Sequence, residues 1–251
     1  MRITCLLMGL VLMSSTIGRA QSPEQIAHIE TAVSAVTALK PAAPRKILAM
    51  HRCDGYRHSC IPVANKLVEL LGKGTGAYEA TFTDAMSSFN TENLAGYDAI
   101  LLNNTTRLKF ENDDQRAALI AFVTDGKGLI GIHSASDNFY DFPEASDMIG
   151  GMFDGHPWGA GGTWGVKLDD PDHPINASFK GENFEIRDEI YQMKSPPYSR
   201  QNQHILLSLN LEHGPTASQG GQKREDKDYG ISWIKRAGKG RVFYCSLGHN
   251  E

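Results

Sequence analysis

The amino-acid sequence predicts an α/β domain built around a parallel sheet, and three features carry that prediction. From Arg45 onward, apolar runs of strand length alternate with amphipathic runs of helix length. Runs such as "AILL" and "LIGI" are apolar throughout, so strands formed from them need cover on both faces. Past residue 150 the texture changes to loops rich in Gly, Pro and Asp between further strand candidates, which completes the same domain with a more antiparallel edge.

In order, the first half reads as strand "KILAMH", helix "IPVANKLVELLGK", strand "YEATFT", a short "TENLAGY", strand "DAILLNN", helix "DDQRAALIAFVTDG" and strand "GLIGIHS". In the second of these helices Ala118, Leu119, Ala121 and Phe122 recur at helical spacing, and Gly126 supplies a stop. The second half offers "TWGVKL", "FEIRDEIYQM" and "HILLSLN". It ends with "YGISWIKRAGKGRVFYCSL", whose polar Gly-bearing turn marks a hairpin. A β-α-β-α order places functional groups on the loops at the C-terminal ends of the strands.

Residues 1–20 carry Arg2, a short apolar run and a small-residue site ending at Ala20, the pattern of a secretory signal peptide. Cleavage there predicts a periplasmic or secreted protein with no stable membrane insertion. Residues 21–44 read as a spacer and residues 45–251 as the domain. Losing 1–20 removes Arg2 and Arg19 and no acid, so the formal charge of −4 becomes more negative by two. That balance excludes an electrostatic footprint for nucleic acid. Cys5 leaves with the signal, and Cys53, Cys60 and Cys245 remain, an odd set in which a Cys53–Cys60 disulfide is open.

Polar side chains gather at several strand ends. "RCDGYRHSC" puts Asp54, Arg57 and His58 where a strand turns into a helix, fit for hydroxyl-rich ligands or for simple helix capping. "GIHSASD" delivers His133, Ser134 and Asp137. A G-x-S-x-G elbow is absent, which disfavours Ser134 as a nucleophile and leaves His133 as a general base, a ligand or a structural hydrogen-bonding residue. "GGMFDGHPW" brings His156 beside Trp158, an aromatic suited to a sugar face or to anchoring a loop, whereas His173 reads as a turn residue. Strand alternation in "EIRDEIYQM" sets Glu185, Arg187, Glu189 and Tyr191 on one face and Ile186, Asp188 and Ile190 on the other. His249 follows the last strand. Histidines His133, His156 and His249 suit Zn²⁺ or another first-row metal, although no pair stands at local ligand spacing and the fold must bring them together.

Taken together and in order, "GYRHSCIP", "GLIGIHSASDNFYDFPEASDMIGGMFDGHPW", "DHPI", "DEIYQM" and "GKGRVFYCSLGHNE" resemble the ThuA-like family, named for trehalose utilisation, over about residues 45–251. The resemblance implies a class I glutamine-amidotransferase-like fold: a flavodoxin-like three-layer sandwich with a mostly parallel central sheet. It also implies carbohydrate metabolism, with a sugar or keto-sugar as the small-molecule partner. Residue by residue it marks Arg57 and His58, His133, His156, Glu189 and Tyr191, and His249. His133, His156 and Glu189 are the expected catalytic groups, and Arg57, His58, Tyr191, Trp158 and Asp137 the expected substrate contacts. No cysteine stands at the elbow, so glutaminase chemistry is disfavoured, and hydrolysis, isomerisation, elimination or non-catalytic sugar binding stay open. The resemblance also implies a closing helix beyond Glu251, so the domain reads as C-terminally truncated.

Overall fold

The computed structural model describes residues 21–36 and 43–251. The expected export signal, residues 1–20, lies outside them. Among the described residues nine strands form one sheet: β1 (Arg45–Met50), β2 (Tyr78–Thr83), β3 (Ala99–Asn103), β4 (Gly128–Ile132), β5 (Thr163–Leu168), β6 (Phe184–Arg187), β7 (His204–Leu209), β8 (Gly230–Ala237) and β9 (Gly240–Cys245). Their spatial order is β2-β1-β3-β4-β9-β8-β7-β5-β6. The pairings from β2 through to β9 are parallel, and those from β9 through to β6 are antiparallel. The sheet is therefore mixed, parallel at one end, rather than mostly parallel. The change begins at β8 and β9, which are joined by the short turn at Gly238, and a tight hairpin forces antiparallel pairing there.

Alternation along the parallel strands divides the side chains between two faces. Leu48, Met50, Ile100, Leu102, Leu129, Val242 and Tyr244 share one core with Leu119, Phe122 and Val123 of helix α4 (Asp113–Thr124), and with Met148 and Ile149 of helix α5 (Pro143–Ile149). Ile47, Ala49 and Leu101 face the other way, toward Val68 of helix α2 (Ile61–Thr75). Helix α4 begins because the Asn112 side chain accepts from the Gln115 amide, and just beyond its end Gly126 takes φ +126°. The antiparallel half packs a second core around Trp158, Trp164, Val166, Leu206 and Ile231.

Residues 23–34, within the segment expected as a spacer, form helix α1. It starts with a capping box in which the Ser22 hydroxyl accepts from the Gln25 amide and the Gln25 side chain accepts from the Ser22 amide. Helix α1 lies against α2. Among the described residues, no helix is long and apolar enough to cross a membrane.

The "EIRDEIYQM" stretch departs from its expected alternation. Strand β6 stops at Arg187, and Asp188 through Gln192 are all buried. Two adjacent carboxylates, Asp188 and Glu189, therefore turn inward together. The physical cause is hydrogen bonding: backbone amides from the chain's far end capture Asp188.

Candidate metal centre

The parallel strands deliver the candidate site at their C-terminal ends. Strand β4 ends at Ile132, and the next residue, His133, takes the left-handed conformation with φ +49° as the chain bends into the one-turn helix His133–Ser136. A non-glycine residue held there costs of order 1–3 kcal/mol and persists only where its surroundings impose it. Tyr244 imposes it here: its hydroxyl donates to the His133 carbonyl at 2.6 Å and lies 2.9 Å from Ser136 Oγ.

The His133 ring is fully buried, and its Nδ1–H donates to the Ser246 carbonyl at 2.7 Å. That bond leaves Nε2 as a lone pair. Around it stand His58 Nε2 at 3.2 Å, His249 Nδ1 at 3.2 Å, the Tyr191 hydroxyl at 3.1 Å and Glu189 Oε1 at 3.7 Å. Glu189 Oε1 is also 3.3 Å from His249 Nδ1. His58 enters from the loop after β1, His249 from the loop after β9, and Glu189 from the segment after β6. His58, His133, His249 and Glu189 each offer one ligand atom, and those atoms all lie within 4.8 Å of one another.

The spacing fits one ion. Two imidazole nitrogens bound tetrahedrally to Zn²⁺ at 2.0–2.1 Å stand roughly 3.3 Å apart, close to the 3.2 Å found for both His133 pairs. His133 also shows the outer-shell habit of metal-bound histidines, giving its second N–H to a carbonyl. Burial pushes the pKa of His133 down to about 3 and that of His58 down to about 4, with neighbouring imidazoles adding to both. Both rings are therefore neutral near pH 7, the form in which imidazole binds metal. Burial likewise raises the Tyr191 phenol well above its usual range, so it stays a protonated donor.

Of the three histidines expected as ligands, the structure brings His133 and His249 together. His58 completes the group, and His156 does not belong to it. His156 is half-exposed at the mouth, stacked on Phe153 and 3.4 Å from the other carboxylate oxygen of Glu189. Trp158 is 0% exposed, packs against Tyr229 and donates through Nε1 to the Thr216 carbonyl at 3.0 Å. It cannot meet a sugar, because the antiparallel core encloses both faces of its ring. Asp137 is occupied as well, accepting from the Tyr140 hydroxyl and pairing with Arg107 at 3.3 Å. Arg57 and Tyr56 are exposed, with the Tyr56 ring edge-on to His58 at 4.8 Å.

Ser134 is buried with Oγ 3.4 Å from His58 Nδ1, a supporting position rather than an attacking one. Cys53, Cys60 and Cys245 are free thiols, so the possible Cys53–Cys60 disulfide does not form. His173 is the turn residue expected, accepting from the Ile175 amide. A larger cavity of about 1230 Å³ opens beside the N-terminal ends of the parallel strands, near Arg45, Gly128 and Arg241. It holds none of the clustered donors, and convergent ligand chemistry outweighs volume in choosing the site.

Residues 46–251 match the ThuA family, described as trehalose utilisation. The chain belongs to the ThuA family. Membership suggests a role in carbohydrate utilisation. Among solved structures, a ThuA-like protein of Bacteroides uniformis aligns at 24% identity with a TM-score of 0.66, covering 85% of this chain and 86% of its own. A ThuA-like protein of Parabacteroides merdae aligns at 17% identity and TM-score 0.62, covering 83% and 81%. At such identities the likeness carries the fold alone. No curated protein matches the chain.

Proposed function

We propose that this ThuA-family chain is an exported enzyme that acts on a sugar or keto-sugar at a divalent metal centre held by His58, His133, His249 and Glu189. The observation that carries the reading is the convergence of these four donors at ligand-shell spacing on a lone pair already oriented by Ser246. Three imidazoles and one carboxylate suit Zn²⁺ or a neighbouring first-row metal. When bound, such an ion polarises a substrate oxygen and lowers the pKa of a bound water.

The protein's own groups then have distinct tasks. Tyr191 keeps its proton and donates to a substrate oxygen beside His133. His156, half-exposed against Glu189, is placed to carry a proton between solvent and the cleft. Arg57 at the rim offers a fork of donors to hydroxyl groups. A hydrolase, isomerase or lyase fits these roles. Glutaminase activity does not: burial raises the Cys60 thiol to about 12 and that of Cys245 to about 11, and neither stands at the elbow. The alternation of helices on both faces of the parallel half supports a flavodoxin-like, amidotransferase-like sandwich. The pattern of residues 1–20 supports a periplasmic or secreted location.

The test is metal content by mass spectrometry on tag-free protein, beside a His58→Ala/His133→Ala double variant. Stoichiometric metal in the parent and its loss in the variant are expected. A parent free of metal after growth in supplemented medium and after reconstitution would sink the reading and favour a non-catalytic sugar-binding module.

A further inference from the structure

We infer that Asp188 is the positioning residue of this centre, holding the His249 ligand and the Glu189 ligand in register through one buried carboxylate. The inference rests on the metal reading above. Asp188 is 4% exposed. Its Oδ2 accepts from the Gly248 amide at 2.6 Å, and its Oδ1 accepts from the His249 and Asn250 amides at 3.0 Å each. Oδ1 also accepts from the amide of Glu189, the next residue, at 2.9 Å.

Three successive amides converge on one anion, which is the way a backbone concavity holds a carboxylate. The loop they belong to is also touched by the Cys60 thiol, which donates to the Gly248 carbonyl at 3.1 Å. It follows the end of β9, passes through Gly248 at φ +116°, and projects the one side chain of that loop that reaches the lone pair of His133. Asn250 adds a second tie, donating through Nδ2 to the Arg187 carbonyl at 2.8 Å and the Ala160 carbonyl at 3.0 Å. Asp188 thus joins two segments that lie far apart in sequence and follow different strands, each contributing one ligand atom. Their separation, 3.3 Å between His249 Nδ1 and Glu189 Oε1, is set by this join.

Asp188→Asn is the informative substitution. Both oxygens accept, so whichever way the amide sits, its NH₂ group faces a backbone N–H. Zinc affinity is measured by competition on tag-free full-length protein for the parent, Asp188→Asn, His249→Ala and the double variant. The expected result is an about 10–100-fold loss for Asp188→Asn, the range for losing an outer-shell partner, and a double variant that loses less than the product of the two single losses, because only the hold on Glu189 is left to disturb once His249 is gone. That non-additivity is what a general folding role would not produce. Parent affinity in Asp188→Asn, or losses that multiply in the double variant, would overturn the inference.

Amide exchange on the metal-free parent supplies a readout independent of both metal and variant folding. Protection of the Gly248, His249 and Asn250 amides by at least about tenfold over an open loop, the worth of a hydrogen bond to a charged group, is expected. Free exchange there would overturn the clamp even if zinc binds. Protection without any zinc binding would retain the clamp and discard the metal reading.

Discussion

The Nδ1–H of His133 donates to the carbonyl of Ser246 at 2.7 Å, and this one bond decides which nitrogen faces the cleft. Ser246 follows β9 directly, and β9 pairs with β4 as far as Ile132↔Cys245. The sheet register therefore sets the tautomer. A ring held this way presents a fixed lone pair, and the three other ligand atoms come to it on loops. Replacing the ring with Asn removes that lone pair. His133→Asn is expected to lose more metal affinity than the about 10–100-fold typical of an outer-shell change, with its far-ultraviolet spectrum unchanged. Metal titration followed by Co²⁺ absorption checks it.

The buried imidazoles predict how stability depends on pH when metal is withheld. Burial lowers His133 to about 3 and His58 to about 4, whereas an unfolded histidine titrates near about 6.5. The unfolded chain then binds more protons than the folded one between these values, so stability falls as pH falls. The contribution is fully present above pH about 6.5 and is lost as the pH drops through about 4 and then about 3. Urea midpoints in chelator should fall along that window, and His58→Gln should flatten part of the slope. A flat profile would contradict the burial of neutral rings.

Part of this candidate cluster was legible in the sequence, and what stayed hidden has physical causes. His133 stood out because an apolar strand run ended on it. Glu189 and Tyr191 were marked by the family resemblance of "DEIYQM", and both lie beside His133 although the strand alternation expected there breaks at Arg187. That His58 and not His156 joins the cluster was hidden because spacing along the chain cannot say which loop reaches across a sheet. Asp188 fell on the supposedly apolar face of a strand, but β6 stops at Arg187 and frees it to turn inward. Trp158 looked like a sugar platform only while its neighbours were unknown. The parallel half was readable from fully apolar runs, and the hairpin turn in "RAGKG" marked where antiparallel pairing begins.

Trp158 gives the next prediction. Its ring fills the antiparallel core and its Nε1 donates to the Thr216 carbonyl. Trp158→Phe should cost about 1–3 kcal/mol through an orphaned buried acceptor and lost packing, read as a lowered Tm. Metal stoichiometry should be unchanged, since neither Trp158 nor Thr216 touches the four donors. A variant with parent Tm and weakened sugar binding would return Trp158 to the cleft.

His156 separates binding from turnover at the mouth. It touches Glu189 Oε2 at 3.4 Å while Glu189 Oε1 faces His133 and His249, so its removal leaves the ligand atoms in place. His156→Ala should retain metal at parent stoichiometry. On a sugar or keto-sugar that the parent turns over, it should lower kcat by about 10²–10⁴-fold, the usual range for a lost general acid or base, with KM little changed. Partial recovery of kcat by added imidazole would place the missing proton carrier at this position, because the half-exposed ring leaves a gap open to solvent. A variant that instead loses its metal would make His156 a fifth support of the centre, acting through Glu189, and the proton-transfer role would pass to Tyr191.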